Sequence, residues 1–230
     1  MVDWISFWDT PHSIYVNDRH RDVHYRAIAE DLLNFVPSPE AVVMDYGCGE
    51  ALHADLLAAA VRRLVLVEAP PGVVAGLHGR FGANARIEVW TPERLAQSPD
   101  HCFDLIVLHS VAQYLSPAAL DALLAEFRRL LRAGGRLVVG DVIPPDVSAL
   151  TDAMALLRFA AAHGFLGAAL VGLARTLVSE YPRLRKRLGL SLYDEATMLR
   201  KLAAAGFSGR RVPGNIGHSR ARMTFIARPA

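Results

Sequence analysis

The sequence predicts an α/β protein with a doubly wound sheet of about seven mostly parallel strands. Three observations carry this. Short apolar runs alternate with helix-length stretches from residue 20 to residue 142. A glycine-rich turn, MDYGCGEA (44–51), follows the first of those runs directly. An Ala- and Leu-rich block at 146–178 then breaks the alternation, and strand-like stretches return near the end.

Taken in order, residues 1–18 are aromatic and turn-rich, with Trp4, Phe7, Trp8 and Tyr15. HRDVHYRAIAEDLLNFV (20–36) reads as a helix stopped by Pro37 and Pro39. AVVMDY (41–46) has the continuous apolar character of a strand buried on both faces, and LHADLLAAA (52–60) that of a helix. RLVLVE (63–68) is a strand, with a helix starting near Pro71. ARIEVW (85–90) and FDLIVLHS (103–110) are strands, and PAALDALLAEFRRLLR (117–132) is a helix. Gly134-Gly135 turns the chain into the strand RLVVGDV (136–142). Past Pro144-Pro145 the chain predicts long or paired helices over 146–178 and a basic stretch, YPRLRKRLGL. A helix over 191–207 follows, capped by Ser191 and closed by Gly206, and then strands near 207–213 and 222–228.

The 230 residues suffice for one domain with a full core, and 52% apolar with 21% charged residues describes a globular chain. A formal net charge of +2 gives no argument for a nucleic-acid partner. Two cysteines, Cys48 and Cys102, have no metal spacing and are too few for a disulfide framework, so a reducing, cytoplasmic location and no metal are expected. The first fifteen residues lack the pattern of a secretory signal. The uncharged run from Phe159 to Ala174 is short for a membrane span and carries three glycines.

The glycine loop raises the question of its ligand. A dinucleotide fingerprint needs a third glycine where this chain has Leu52, which speaks against a nicotinamide oxidoreductase. What stands here is Asp45-x-Gly47-x-Gly49-x-Ala51. An acid beside the loop disfavours a pyrophosphate and suits an ammonium group.

This pattern resembles motif I of the class I S-adenosylmethionine-dependent methyltransferases. The resemblance continues through Glu68 at the end of LVLVE, FDLIVLHSVAQYL (103–115), LLRAGGRLVVGDV (130–142) and AAAGF (203–207). It implies a Rossmann-like sheet whose last strand is antiparallel, with a helical lid insertion. It also implies S-adenosylmethionine as cofactor and S-adenosylhomocysteine (SAH) as product. The whole chain then forms one methyltransferase domain: an N-terminal helical cover (1–40), a cofactor-binding core (41–142), a helical insertion or lid (143–190) and a C-terminal helix and hairpin (191–230).

By the same resemblance the glycine loop lets backbone approach the cofactor, Asp45 holds its methionine end, and Glu68 accepts from both ribose hydroxyls. Gly47, Cys48, Gly49 and Ala69 line the same site, with Cys48 as a small loop residue and no nucleophile. At the third strand the family often has an acid on the adenine. The chain here reads VWTPERL, so Thr91 or Glu93 stands near that place and Trp90 is available to cover the ring. The family's N-terminal segment often folds over the cofactor, which brings Tyr15 and His20 toward it. His12 and His24 lie in that segment too, and surface placement is the competing reading for each.

His109 and Asp141 end the fourth and fifth strands, at the rim where doubly wound sheets bind ligands, and His218 lies between the last two strands. His109 is read either as a cofactor neighbour or as a general base. His109, His218 and Asp141 are the catalytic candidates. The expected reaction is methyl transfer to an O, N or C atom of a small, apolar molecule. Two alternatives stand beside it: a lipid or quinone methyltransferase on the membrane surface, and a non-catalytic cofactor-binding module. The membrane alternative rests on residues 153–187, where an apolar stretch precedes Arg183, Arg185, Lys186 and Arg187.

Overall fold

A computed structural model describes residue 9 and residues 15–178 and 189–230. Trp4, Phe7, Trp8, His12 and the basic residues at 183–187 lie outside the described residues. The first described helix is α1 (Asp18–Leu33), opened by the Asn17 side chain, which accepts from the His20 amide at 2.8 Å. It ends four residues before Pro37, because the residue before a proline is driven out of the helical region.

The alternating units follow as β1 (Val42–Tyr46), α2 (Ala54–Ala59), β2 (Arg63–Val67), α3 (Pro71–Phe81) and β3 (Ile87–Trp90). Then come α4 (Pro92–Ala96), β4 (Phe103–His109), α5 (Pro117–Leu130) and β5 (Leu131–Val142). Helices α3, α4 and α5 all begin on a proline, whose missing N–H costs nothing in the first turn. The short α4 was not expected from the sequence; its Thr91 cap and Pro92 form it within the stretch read as an adenine contact. The helical block resolves into α6 (Ala149–His163) and α7 (Leu166–Val178), separated by Gly164 in the left-handed region at φ 77°. Helix α8 (Glu195–Ala204), β6 (Phe207–Arg211) and β7 (Met223–Pro229) complete the chain. Asp194, and not Ser191, caps α8, accepting from the Thr197 amide at 2.6 Å. Ser191 instead donates its hydroxyl to the Leu115 carbonyl at 2.7 Å.

The seven strands order as β3-β2-β1-β4-β5-β7-β6. Pairing is parallel from β3 to β5, and β7 runs antiparallel to both β5 and β6, as expected of the last strand. Chain order reverses between β1 and β4, so the crevice over their C-terminal ends is where a ligand belongs. Asp104 fixes the opposite end: its carboxylate accepts from the Val42 amide (2.8 Å) and from Arg132 (2.5 Å), tying β1 and β5 to β4.

Both faces of the sheet are buried. One face packs Met44, Ile106, Leu108 and Leu137 against Leu124 and Phe127 of α5. The other packs Val43, Leu66, Leu105 and Val107 against α2 and α3. A third cluster joins Val23 of α1 to Ala160, Phe165 and Ala169, so the helical pair covers the N-terminal helix. Leu150, Leu170 and Val171 of that pair are exposed. No described helix is long and apolar enough to cross a membrane.

Phe127 is fully buried between α5 and the sheet. Phe127→Ala should lower unfolding stability by about 3–5 kcal/mol. A urea transition whose midpoint falls while its slope is kept would check this.

Candidate active site

The site is built on the turn after β1. Gly47 (φ 71°) and Gly49 (φ 61°) both take the left-handed conformation. A Cβ at Gly47 would stand 2.3 Å from Val111 Cγ2, and one at Gly49 would stand 2.7 Å from the Tyr25 hydroxyl. The loop therefore needs glycine for torsion and for space together. Ala51 is left-handed as well (φ 44°), a strain of roughly 1 kcal/mol that a glycine would not carry.

Glu68 holds this turn from the end of β2. Its Oε1 accepts from the Gly49 amide at 2.6 Å and its Oε2 from the Ala69 amide at 3.1 Å. Burial raises its pKa while those two amides pull the other way. Asp45, from β1, is pushed up to about 7 by burial and then by the nearby Glu68 charge. Cys48 is raised well above an ordinary thiol, chiefly by burial, and its Sγ lies 3.7 Å from the Gly49 carbonyl, so it is no nucleophile.

These groups open on a cavity of about 600 Å³ at the switch point. Asp45, Gly47, Cys48, Gly49, Glu68, Ala69, His109, Asp141, His218 and Tyr15 all line it. Two expected cofactor neighbours do not. Thr91 accepts from the Arg94 amide as the cap of α4, leaving Pro92 on the wall. His20 is buried behind the wall, stacked on Phe165 with ring centroids 4.9 Å apart. Trp90 is buried against Phe103 and donates its indole N–H to Glu88, so it covers nothing in the cavity.

On the far side, the ends of β4 and β5 are strained. Ser110 (φ 57°) and Asp141 (φ 61°) both stand in the left-handed region, and Ser110 donates its hydroxyl to Asp141 Oδ2 at 2.7 Å. Arg222, at the start of β7, donates to the same Oδ2 at 2.6 Å. It reaches Asp152 of α6 as well, Nη2 to Oδ2 at 3.0 Å and Nε to Oδ1 at 3.3 Å. Burial pushes the Asp141 pKa up, but Arg222, His109 and Ser110 outweigh it and hold the carboxyl below its ordinary value. A carboxylate so occupied is a poor proton acceptor, which removes Asp141 from the general-base candidates.

His109 and His218 are kept neutral, in each case mainly by burial. His218 stacks on Phe159 at 4.9 Å and meets His24 edge-on at 5.9 Å. His24, pushed down to about 3 by burial and by neighbouring histidines, lines the cavity, as does Tyr25. Arg222, Asp152 and Tyr25 were not singled out by the sequence. Arg222 and Asp152 lie 70 residues apart, so no local pattern announces the pair.

Gly47→Ala should lower stability by about 2–4 kcal/mol, from left-handed strain plus overpacking. Adding Val111→Ala should recover the overpacking share alone, as paired urea titrations would show. His20 gives a pH prediction. Burial, then His218, pushes its pKa down to about 4, so the unfolded chain takes up the proton first as pH falls. Its contribution is whole above about pH 6.5 and declines toward pH 4, with about 2 kcal/mol lost by pH 5. His20→Phe should flatten the fall in urea midpoint between pH 7 and pH 5.

Residues 43–135 match a family model described as a methyltransferase domain. No curated protein matches the chain. Among solved structures, DesVI of Streptomyces venezuelae is 16% identical over 91% of this chain and 94% of its own, with a TM-score of 0.62. Magnesium protoporphyrin IX methyltransferase of Synechocystis PCC 6803, solved with bound SAH, is 17% identical over 99% and 93%, with a TM-score of 0.59. DhpI, also solved with SAH, is 16% identical over 98% and 95%, with a TM-score of 0.61. At these identities the structural likeness is one of fold. Residues 43–135 thus match a methyltransferase domain, and the chain as a whole shares the fold of these methyltransferases.

Proposed function

We propose that this protein transfers a methyl group from S-adenosylmethionine to an O, N or C atom of a small, apolar molecule. The observation that carries the reading is the pair of half-buried acids, Asp45 in β1 and Glu68 just past the end of the adjacent β2, beside the Gly47–Gly49 turn. A pyrophosphate would add negative charge to two carboxylates that already repel each other. S-adenosylmethionine brings an ammonium group, which fits Asp45, and two ribose hydroxyls, which fit Glu68. Although each Glu68 oxygen already accepts one backbone N–H, a carboxylate offers about four acceptor positions, and two remain.

When bound, the cofactor supplies a sulfonium methyl carbon already activated for attack. The chain's task is alignment, which can supply about 7–11 kcal/mol. Helix α1 and Asp152 of α6 flank the acceptor's side of the cavity, and the ends of β4 and β5 face it through His109, Ser110 and Asp141. An acceptor that carries a proton must give it up as its lone pair attacks. His218 is the best-placed base, being neutral and on the cavity wall. His109 is the second, also neutral there.

A second reading, a lipid or quinone acceptor at a membrane surface, is favoured by the exposed Leu150, Met154, Leu170 and Val171 on the lid helices. Co-sedimentation with liposomes would support it, and no sedimentation at low salt would remove it.

Calorimetry with S-adenosylmethionine and SAH tests the main reading. Glu68→Ala should weaken both by about 3 kcal/mol, over a hundredfold. Binding should tighten as pH rises through about 7, because Asp45 must ionise to hold an ammonium group. Asp45→Asn should flatten that profile. The same substitution should stabilise the ligand-free protein at pH 8. Native Asp45 binds its proton more tightly than the unfolded chain does, so its burial costs stability as pH rises from its unfolded value of 3.8 through about 7. Failure of both ligands to bind folded wild-type protein would overturn the reading.

A further inference from the structure

We propose that the methyl acceptor is an uncharged or cationic ring compound, and that Asp152 is the specificity-determining residue that excludes anionic ones. The inference rests on the reading of the cavity as a methyl-transfer site and concerns its acceptor half.

Among the described residues, the cavity wall carries four acids, Asp45, Glu68, Asp141 and Asp152, and a single Arg or Lys, Arg222. Asp45 and Glu68 belong to the cofactor half. The acceptor half is thus left with two carboxylates and one guanidinium. Arg222 is the group an acceptor's carboxylate or phosphate would seek. Its Nη1 is taken by Asp141, and its Nη2 and Nε by Asp152. All three side chains are at most 22% exposed, so solvent does little to screen the surplus negative charge.

The two acids differ in how they are held. Asp141 is fixed by the end of β5: its amide donates to Asn215, and its carboxylate takes the Ser110 hydroxyl and the Asn215 side chain. Asp152 is carried by α6 of the lid, and Arg222 is its only side-chain hydrogen-bond partner among the described residues. It occupies with two oxygens the fork that an acceptor's carboxylate would use. Rings of Tyr15, His24 and His218 line the rest of this half beside Ile216, with Ser110, Gln113 and Ser219 as its uncharged polar groups. The histidines add no positive charge at neutral pH, since His24 and His218 are both held neutral by burial. Such a wall takes a planar ring, rejects an anion, and tolerates a cation through its ring faces and surplus carboxylate.

A matched set of probes decides this on SAH-saturated protein by calorimetry: 4-methylcatechol, 3,4-dihydroxybenzylamine and 3,4-dihydroxybenzoate, which differ in one substituent. Wild-type protein should bind the first two at least about thirtyfold more tightly than the benzoate. Asp152→Asn should shrink that ratio about tenfold or more, by removing the competing negative charge and leaving at most one guanidinium nitrogen engaged by the amide oxygen. Asp152→Ser removes the same charge with a shorter side chain and takes its place if the first variant does not fold. Should neither fold, the wild-type ratio decides. Benzoate binding as tight as methylcatechol, or a ratio unmoved by the substitution, overturns the proposal. Binding of SAH with no ring bound overturns it as well and leaves the cofactor reading standing, whereas failure of SAH to bind removes the reading beneath it.

Discussion

Everything in the site depends on one carboxylate. Glu68 joins the end of β2 to the glycine turn after β1 through the Gly49 and Ala69 amides. From the other side the Tyr25 hydroxyl accepts from the Glu50 amide at 3.0 Å, so α1 closes the same turn. A turn with three left-handed residues has few conformational choices, and these three hydrogen bonds select one. The cost is burial of an acid beside another acid. Hydrogen bonds to backbone offset part of that for Glu68, but Asp45 has no basic neighbour among the causes of its shift. The free site therefore holds two acids whose charged forms disfavour each other, which sets it apart from a packed loop.

The second half of the cavity is organised by the opposite device. Asp141 and Arg222 neutralise each other, and Asp152 extends the pair to the lid. The chain of contacts from Ser110 through Asp141 and Arg222 to Asp152 runs from the rim of β4 to α6. Left-handed backbone at both Ser110 and Asp141 is what turns their side chains toward each other across adjacent strand ends. Strain at two neighbouring strand ends persists only where the surroundings over-determine it, and the Arg222 ion pair supplies that determination.

Most of the fold was legible because its signals are local. Buried strands announce themselves as apolar runs, and Pro71 and Pro117 mark helix starts wherever the rest of the chain lies. Gly47, Gly49, Asp45 and Glu68 were legible for a related reason: a torsion or a charge at a strand end is a property of one position. Two local signals misled. Ser191 and Asp194 can both cap a helix, and tertiary packing chose the later one: Tyr193 pairs with the Ile143 carbonyl and Ser191 with Leu115, which holds 191–193 extended. Thr91 reads equally well as a ligand contact and as a cap, and Pro92 behind it decides for the cap. The Arg222 pairs were invisible, since nothing in HSRARM says which acid its arginines will meet. For His24, named in the N-terminal segment, the sequence left wall and surface placement open. Its place on the wall comes from α1 lying under the lid, an arrangement set by Val23, Ala160, Phe165 and Ala169.

That division separates what a fold inherits from what a given protein adds. The part of the cavity around the Gly47–Gly49 turn is made of backbone turns and strand ends, which any sequence with the right glycines and acids reproduces. Long-range side-chain pairs, drawn from α1, α6 and the segment before β7, make the opposite wall. A substitution there can change what the cavity accepts without disturbing β1 to β5. Charge selection suits such a region well. Moving one carboxylate on a lid helix alters the net charge of a desolvated chamber by a full unit, whereas a change in shape would require several rings to repack. The pairing of Asp152 with Arg222 is thus the point where helix α6 and the last strand meet at the cavity.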